Sequence, residues 1–184
     1  MARVLVPLAE GFEEIEAVTV IDILRRAGIE VVSAGLTDGP IKGSRGITVV
    51  PDTGVHRILE DDFDMVVLPG GLPGTMNLRL DKRIHDIVKR VHERKGYVTA
   101  ICAAPTIYAE MGFLEGKKAT SHPSTADEVR AKTGEYSEDR VVVDGHFITS
   151  RSPGTAMEFA MKLVEVLAGK KMVAKVNEGV MATL

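Results

Sequence analysis

Four short runs of almost unbroken apolar character, rich in β-branched residues, recur along the first part of the chain: Arg3–Leu8, Ile29–Ala34, Met65–Leu68 and Tyr97–Ile101. Strands that are apolar on both faces belong to a parallel sheet covered by helices on both sides. The intervals carry what such a sheet needs. Helical periodicity runs over Glu14–Ala27, Asp81–Arg94 and Pro105–Met111, followed by Gly28, Gly96 and Gly112. Glycine just past a helix end is a stop signal. Farther on, Val141–Thr149 reads as a hairpin turning at Asp144-Gly145. Thr155 can cap a helix that runs to Ala168, with Gly169 after it. In that helix Glu158, Lys162 and Glu165 share one solvated stripe. No repeat, linker or low-complexity segment interrupts the 184 residues. Residues 1–184 therefore read as one α/β domain with a mostly parallel sheet between two helical layers.

Composition closes off several functions. A net charge of −3 with no basic stripe makes nucleic acid a poor stable partner. No apolar run is long enough to cross a membrane, and the first residues read as a strand instead of a signal peptide. The single cysteine, Cys102, excludes an intramolecular disulfide and fits a reducing cytoplasm. It also excludes thiolate metal clusters, and the five histidines lack ligand spacing, so no metal site is expected.

Cys102 stands where the run Tyr97–Ile101 meets the helical pattern from Pro105. A residue between a parallel strand and its following helix lies at the carboxyl end of the sheet, where open α/β folds bind ligands. A sharp turn there needs small neighbours, which Ala103 and Ala104 supply, and Pro105 suits a first helical position. The helix N-terminus is expected to lower the thiol pKa, and backbone amides there can hold an oxyanion. The alternative is a buried free cysteine acting as a small hydrophobe. A second strand ends in Pro69-Gly70-Gly71, whose amides can approach a ligand closely, or which simply make a tight turn. On the wheel of Glu14–Ala27, Glu16 falls between Ile23 and Ala27, so its carboxyl aims inward. There its pKa should rise, leaving it able to donate a hydrogen bond. Glu13 and Glu14 are accounted for as first-turn acids.

Together, "EGFEEIEAV", "DILRRAGIEVV", "GSRGI", "DMVVLPGG", "AICAAPT", "TSHP", "TSRSPGTAMEFA" and the closing helix resemble the ThiJ/PfpI superfamily, in the branch of the Parkinsonism-associated protein deglycase and its bacterial relatives. The resemblance spans nearly the whole chain. It implies a single-domain, flavodoxin-like three-layer sandwich with a nucleophile elbow. It also implies Cys102 as nucleophile, Glu16 as its acidic partner, His122 as the pocket histidine, and Gly71 and Ala103 as oxyanion-hole amides beside Gly70. Arg45 and Arg26 match arginines near the site and dimer contact, and Ser152 and Pro153 match a loop closing the cleft. Some features depart from related branches. Ala103 stands where the protease-like branch has histidine, which argues against a peptidase. No histidine makes the His-x-Glu pair of glutamine amidotransferases. Gly43 and Val50 occupy positions where some members carry further cysteines.

The expected function is a cofactor-independent cysteine enzyme acting on small reactive dicarbonyls or their glycated adducts, as a glyoxalase or deglycase, through a Cys102 hemithioacetal. The alternative is a redox-responsive stress protein or chaperone whose Cys102 oxidises to sulfinate. A thiamine-metabolism role has no thiazole or phosphate site among these residues. A homodimer is expected, with part of the Glu14–Ala27 helix at the contact, where Val18 and Ile21 border its charged side.

Overall fold

The computed structural model describes residues 1–183. In chain order its strands are β1 (Arg3–Leu8), β2 (Glu30–Gly35), β3 (Ile41–Lys42), β4 (Thr48–Val49), β5 (Thr53–Gly54), β6 (Met65–Leu68), β7 (Tyr97–Ile101), β8 (Lys118–Ala119), β9 (Glu135–Tyr136), β10 (Val141–Asp144) and β11 (Phe147–Ser150). Its helices are α1 (Glu14–Arg26), α2 (Gly74–Leu80), α3 (Lys82–Glu93), α4 (Pro105–Glu110), α5 (Ala126–Arg130), α6 (Ala156–Ala168) and α7 (Lys170–Val180).

Seven strands form the main sheet in the order β10-β11-β7-β6-β1-β2-β5, all parallel except β10, which pairs back on β11. The alternation of side chains divides the core in two. Val4, Val6, Leu8, Met65, Val67 and Ile101 face a layer containing Val20, Ile23 and Leu24 of α1 and Phe159 and Leu163 of α6. Leu5, Val66, Leu68, Val98 and Ala100 face the other way, against Leu78, Ile84, Ile87, Val88 and Tyr108 from α2, α3 and α4. This is the expected three-layer sandwich. It explains why these strands read as continuous apolar runs: each face has its own helical cover.

The connection from β1 passes through α1 to β2 on one side, whereas β6 and β7 lie on the other side of β1. The order reverses between β1 and β6. Such a switch point opens a crevice beyond the strands' carboxyl ends, and there α1 begins and Gly70-Gly71 follow β6.

Local readings need three corrections. The left-handed residue ending α3 is Lys95, at φ 60°, not Gly96. Gly96 is required for another reason: a Cβ there would lie 2.8 Å from Val91 Cγ1 and 2.9 Å from the Asp64 carbonyl. Thr155 flanks α6 but does not cap it with its side chain, because a 3-10 turn over Pro153–Thr155 comes first and draws that hydroxyl backward. Finally, α2 lies in a stretch for which the sequence suggests no element.

Candidate active site

The site is assembled from the ends of three strands. After β7 the chain turns sharply and Cys102 takes φ 65°, a left-handed conformation that costs a residue with a Cβ about 1–3 kcal/mol. Two hydrogen bonds hold it: Cys102 N–H donates to the Ser150 carbonyl at 3.0 Å, and His122 N–H donates to the Cys102 carbonyl at 2.8 Å. The thiol is half-buried, and Cys102 is the only cysteine. Gly71 and Ala103 line the same cleft as the sulfur, and their N–H groups draw its pKa down.

The start of α1 is stitched to the turn after β6. Glu13 N–H donates to the Gly70 carbonyl at 2.9 Å, and Gly70 N–H donates to Glu16 Oε2 at 2.7 Å. Glu16 is fully buried, and its second oxygen has no nitrogen or oxygen partner. The carboxyl lies beside the Cys102 thiol, which draws its pKa down. A Cβ on Gly70 would come within 2.7 Å of both Cys102 Cβ and Glu16 Oε2. A Cβ on Gly71, at φ 93°, would meet Glu13 N and Gly11 O at 2.5 Å. The paired glycines therefore serve close approach, beyond merely turning the chain.

Burial pushes the Glu16 carboxyl up to about 7, against the opposing pull of Gly70 N–H and the cysteine, with Glu13's charge adding to the rise. The inward, proton-retaining carboxyl expected of Glu16 is what the structure has. The thiol is different. Burial, then the charge and hydrogen bond of Glu16, hold Cys102 well above the usual thiol range, and the Ala103 and Gly71 N–H groups only partly offset this. The expectation of a thiol acidified by its helix is overturned. Burial and Glu16 are the reason, and α4, six residues long and beginning three positions beyond the cysteine, offers little dipole to oppose them. The thiol proton instead has a neighbouring acceptor in Glu16.

A cleft of about 370 Å³ opens on the sulfur, lined by Glu13, Ser44, Arg45, Gly71, Leu72, Cys102, Ala103, His122, Ser124 and Pro153.

The DJ-1/PfpI family model matches residues 2–166. The chain belongs to the DJ-1/PfpI family. It is 45% identical to Protein dj-1beta of Drosophila melanogaster over 179 residues, covering 96% of this chain and 95% of that one. It is 42% identical over 180 residues to the Parkinson disease protein 7 homolog of Danio rerio, covering 95% and 94%. A Caenorhabditis elegans relative, glutathione-independent glyoxalase DJR-1.2, is 36% identical over 168 residues, covering 91% and 89%. The crystal structure of Drosophila melanogaster DJ-1beta superposes with a TM-score of 0.95 at 43% identity, covering 100% and 99% of the two chains.

Within this DJ-1/PfpI fold most residues singled out from the sequence converge. Cys102, Gly71, Ala103, His122, Arg45 and Pro153 line the cleft, with Glu16 and Gly70 directly behind the sulfur. Arg26 does not join them. It lies exposed on the last turn of α1, bonded through Nε to Asp22 at 2.9 Å. Ser152 is set back from the cleft in the turn before α6. His122 Nδ1 accepts from Ser124 N–H at 3.1 Å and contacts Ser124 Oγ at 2.7 Å, so its neutral form carries the proton on Nε2. No carboxylate bonds to that ring among the described residues, so a Cys-His-Asp triad is not assembled.

Two residues carry more than the sequence suggests. Glu13 caps α1 by accepting Glu16 N–H at 2.8 Å and also faces the cleft, where burial raises its pKa. The Glu14 carboxylate reaches out to the β3–β4 loop, accepting from Arg45 N–H at 2.7 Å, Ile47 N–H at 3.3 Å and Ser44 Oγ at 3.2 Å. Nothing local could signal the Glu14 contacts, since they depend on a loop about thirty residues away.

Proposed function

We propose that the protein is a cofactor-independent cysteine enzyme that converts small dicarbonyls, such as methylglyoxal and glyoxal, into hydroxy acids. The observation that carries this reading is the convergence of Glu16 and the Gly71 and Ala103 N–H groups on one strained cysteine. The relative named as a glutathione-independent glyoxalase supports it.

Glu16 as carboxylate takes the thiol proton while sulfur attacks the aldehyde carbon. The new oxyanion is held by Gly71 and Ala103 N–H and then takes that proton, giving the hemithioacetal. Glu16 next removes the proton from the former aldehyde carbon and returns it to the adjacent carbon, while the proton of the hemithioacetal hydroxyl passes to the neighbouring carbonyl oxygen and electrons shift from one carbon to the other. The product is a thioester bearing a neighbouring hydroxyl. Water cleaves it, releasing the hydroxy acid and restoring the thiol. One carbon is oxidised as its neighbour is reduced, so no outside electron carrier is required. His122, through Nε2, can assist at the substrate oxygen. Glycated adducts of amines and thiols offer the same carbonyl chemistry, and the reading places the enzyme in a reducing cytoplasm as a homodimer.

A second reading is favoured by one feature: the Glu16 oxygen with no nitrogen or oxygen partner lies beside a single oxidisable thiol. A protonated Glu16 would donate to a sulfinate on Cys102, making the site a peroxide sensor in a stress protein.

Replacing Cys102 by serine tests the first reading. Cys102→Ser is near-isosteric and should keep the fold, while turnover of methylglyoxal without glutathione or metal falls to background. Activity within a few-fold of wild type would remove Cys102 from the mechanism.

A further inference from the structure

The left-handed Cys102 peptide persists only while its surroundings hold it. Of its two pins, the His122 N–H comes from a loop next to the cleft, and the Ser150 carbonyl comes from the last residue of β11. Ser150 pairs in register with Ile101, and beyond it the strand leaves the sheet. The fixing of that carbonyl therefore depends on what organises residues 150–155.

One hydroxyl does most of this. Thr155 Oγ1 lies 2.7 Å from Ser150 Oγ, accepts from Arg151 N–H at 3.2 Å and Ser152 N–H at 3.1 Å, and reaches the Ser152 carbonyl at 2.9 Å. Ser150 Oγ–H in turn donates to the Arg140 carbonyl at 2.7 Å, on β11's other flank. Thr155 and Ser150 are buried, so water cannot replace these bonds. Both N–H groups left free where β11 ends thus converge on a single side-chain oxygen. Thr155 itself lies outside the cleft lining.

We propose that Thr155 is a positioning residue: its hydroxyl fixes the end of β11 so that the Ser150 carbonyl holds Cys102 in its strained turn, with the sulfur facing Gly71 N–H, Ala103 N–H and Glu16. The proposal rests on Cys102 being the reactive nucleophile. Without the hydroxyl, the residue 150–152 backbone seeks other partners, the Ser150 carbonyl shifts, and Cys102 relaxes out of the left-handed region. The sulfur then leaves its place facing Glu16 and the Gly71 and Ala103 N–H groups.

The test compares Thr155→Val, which keeps the shape and loses the hydroxyl, with Thr155→Ser, which keeps the hydroxyl and loses the methyl. For each, the rate of Cys102 alkylation by iodoacetamide at neutral pH is measured alongside kcat and KM for methylglyoxal. Thr155→Val should lower kcat by on the order of tenfold or more, as expected when a reacting group is displaced, with KM little changed, and should move the alkylation rate away from its wild-type value. Thr155→Ser should restore both. Ser150→Ala, which cuts the same relay one bond earlier, should move in the same direction, and it carries the test if Thr155→Val does not fold. Wild-type alkylation in folded Thr155→Val, or in Ser150→Ala where that variant must stand in, would overturn the proposal. So would Thr155→Ser matching Thr155→Val in both readouts, which would assign the effect to packing of the methyl. If wild type turns over no dicarbonyl, the functional reading fails, and the alkylation comparison still decides the role of Thr155.

Discussion

At the scale of single residues, the proposed chemistry rests on Glu16, whose burial raises its carboxyl pKa. This has a consequence for stability. The folded carboxyl titrates at about 7 and an unfolded one at 4.5. Because the folded value is raised, the stabilisation is complete below pH 4.5 and is lost as pH rises through about 7. The difference corresponds to about 3 kcal/mol, since one pKa unit is 1.36 kcal/mol. Glu13 is raised too and adds a loss of the same sign, whereas Glu14, Asp52 and Asp81 are lowered and matter only at more acid pH. Urea unfolding at pH 5 and pH 8 should therefore show wild type losing stability on the alkaline side. Glu16→Gln should lose distinctly less, and should also lose the rise in turnover through pH 7 expected of a carboxylate base. Equal stability losses in the two proteins would mean that Glu16 is ionised when folded at both pH values.

Among the elements, α1 links the sheet's switch point to the cleft wall. Its first turn presents three acids with three tasks: Glu13 caps, Glu16 meets the cysteine, and Glu14 holds the loop after β3. Burial pushes Glu14 up, but the Arg45 and Ile47 amides and the Ser44 hydroxyl outweigh it, leaving the carboxyl below its ordinary range. Charge-assisted hydrogen bonds of this type contribute roughly 1.5–3 kcal/mol each when formed. Glu14→Ala should free the loop around Arg45, and trypsin should then cut after Arg45 many times faster than in wild type. Unchanged cleavage there would show that the loop holds itself. The same helix shows what was legible in the sequence. The inward aim of Glu16 followed from its angle between Ile23 and Ala27, because helical periodicity is local. The acceptor of Glu13 N–H and the donors to Glu14 were not legible, because they come from Gly70 and from Ser44–Ile47, far along the chain. The thiol's raised pKa was hidden for a related reason: it depends on burial and on Glu16, while the short pattern at Ala103-Ala104-Pro105 suggested only a helix dipole. Helix α2 was masked by the turn residues Gly70, Gly71, Pro73 and Gly74 at its entrance.

For the whole molecule, the question is which apolar surface meets a second copy. Two surfaces compete. On α1, Ile15 is 55% and Val18 45% exposed, and beside its first turn Ile47 is 59% and Val50 72% exposed. The backbone of Ile47 is tied to Glu14, which holds the loop carrying Ile47 against the start of α1. On and before α2, Leu72, Met76 and Leu80 are also exposed. A stable dimer needs about 1,600 Å² of total buried surface, which favours the patch that joins two elements. The α1 face also adjoins the loop carrying Arg45, so a partner seated there would border both clefts. We expect wild type to be a dimer at micromolar concentration by sedimentation. Val18→Glu should sediment as a folded monomer, because a buried, unpaired charge at a symmetric contact is repeated on both copies. Leu80→Glu should remain dimeric. A monomeric wild type would remove the dimer, and a monomeric Leu80→Glu beside a dimeric Val18→Glu would move the contact to α2.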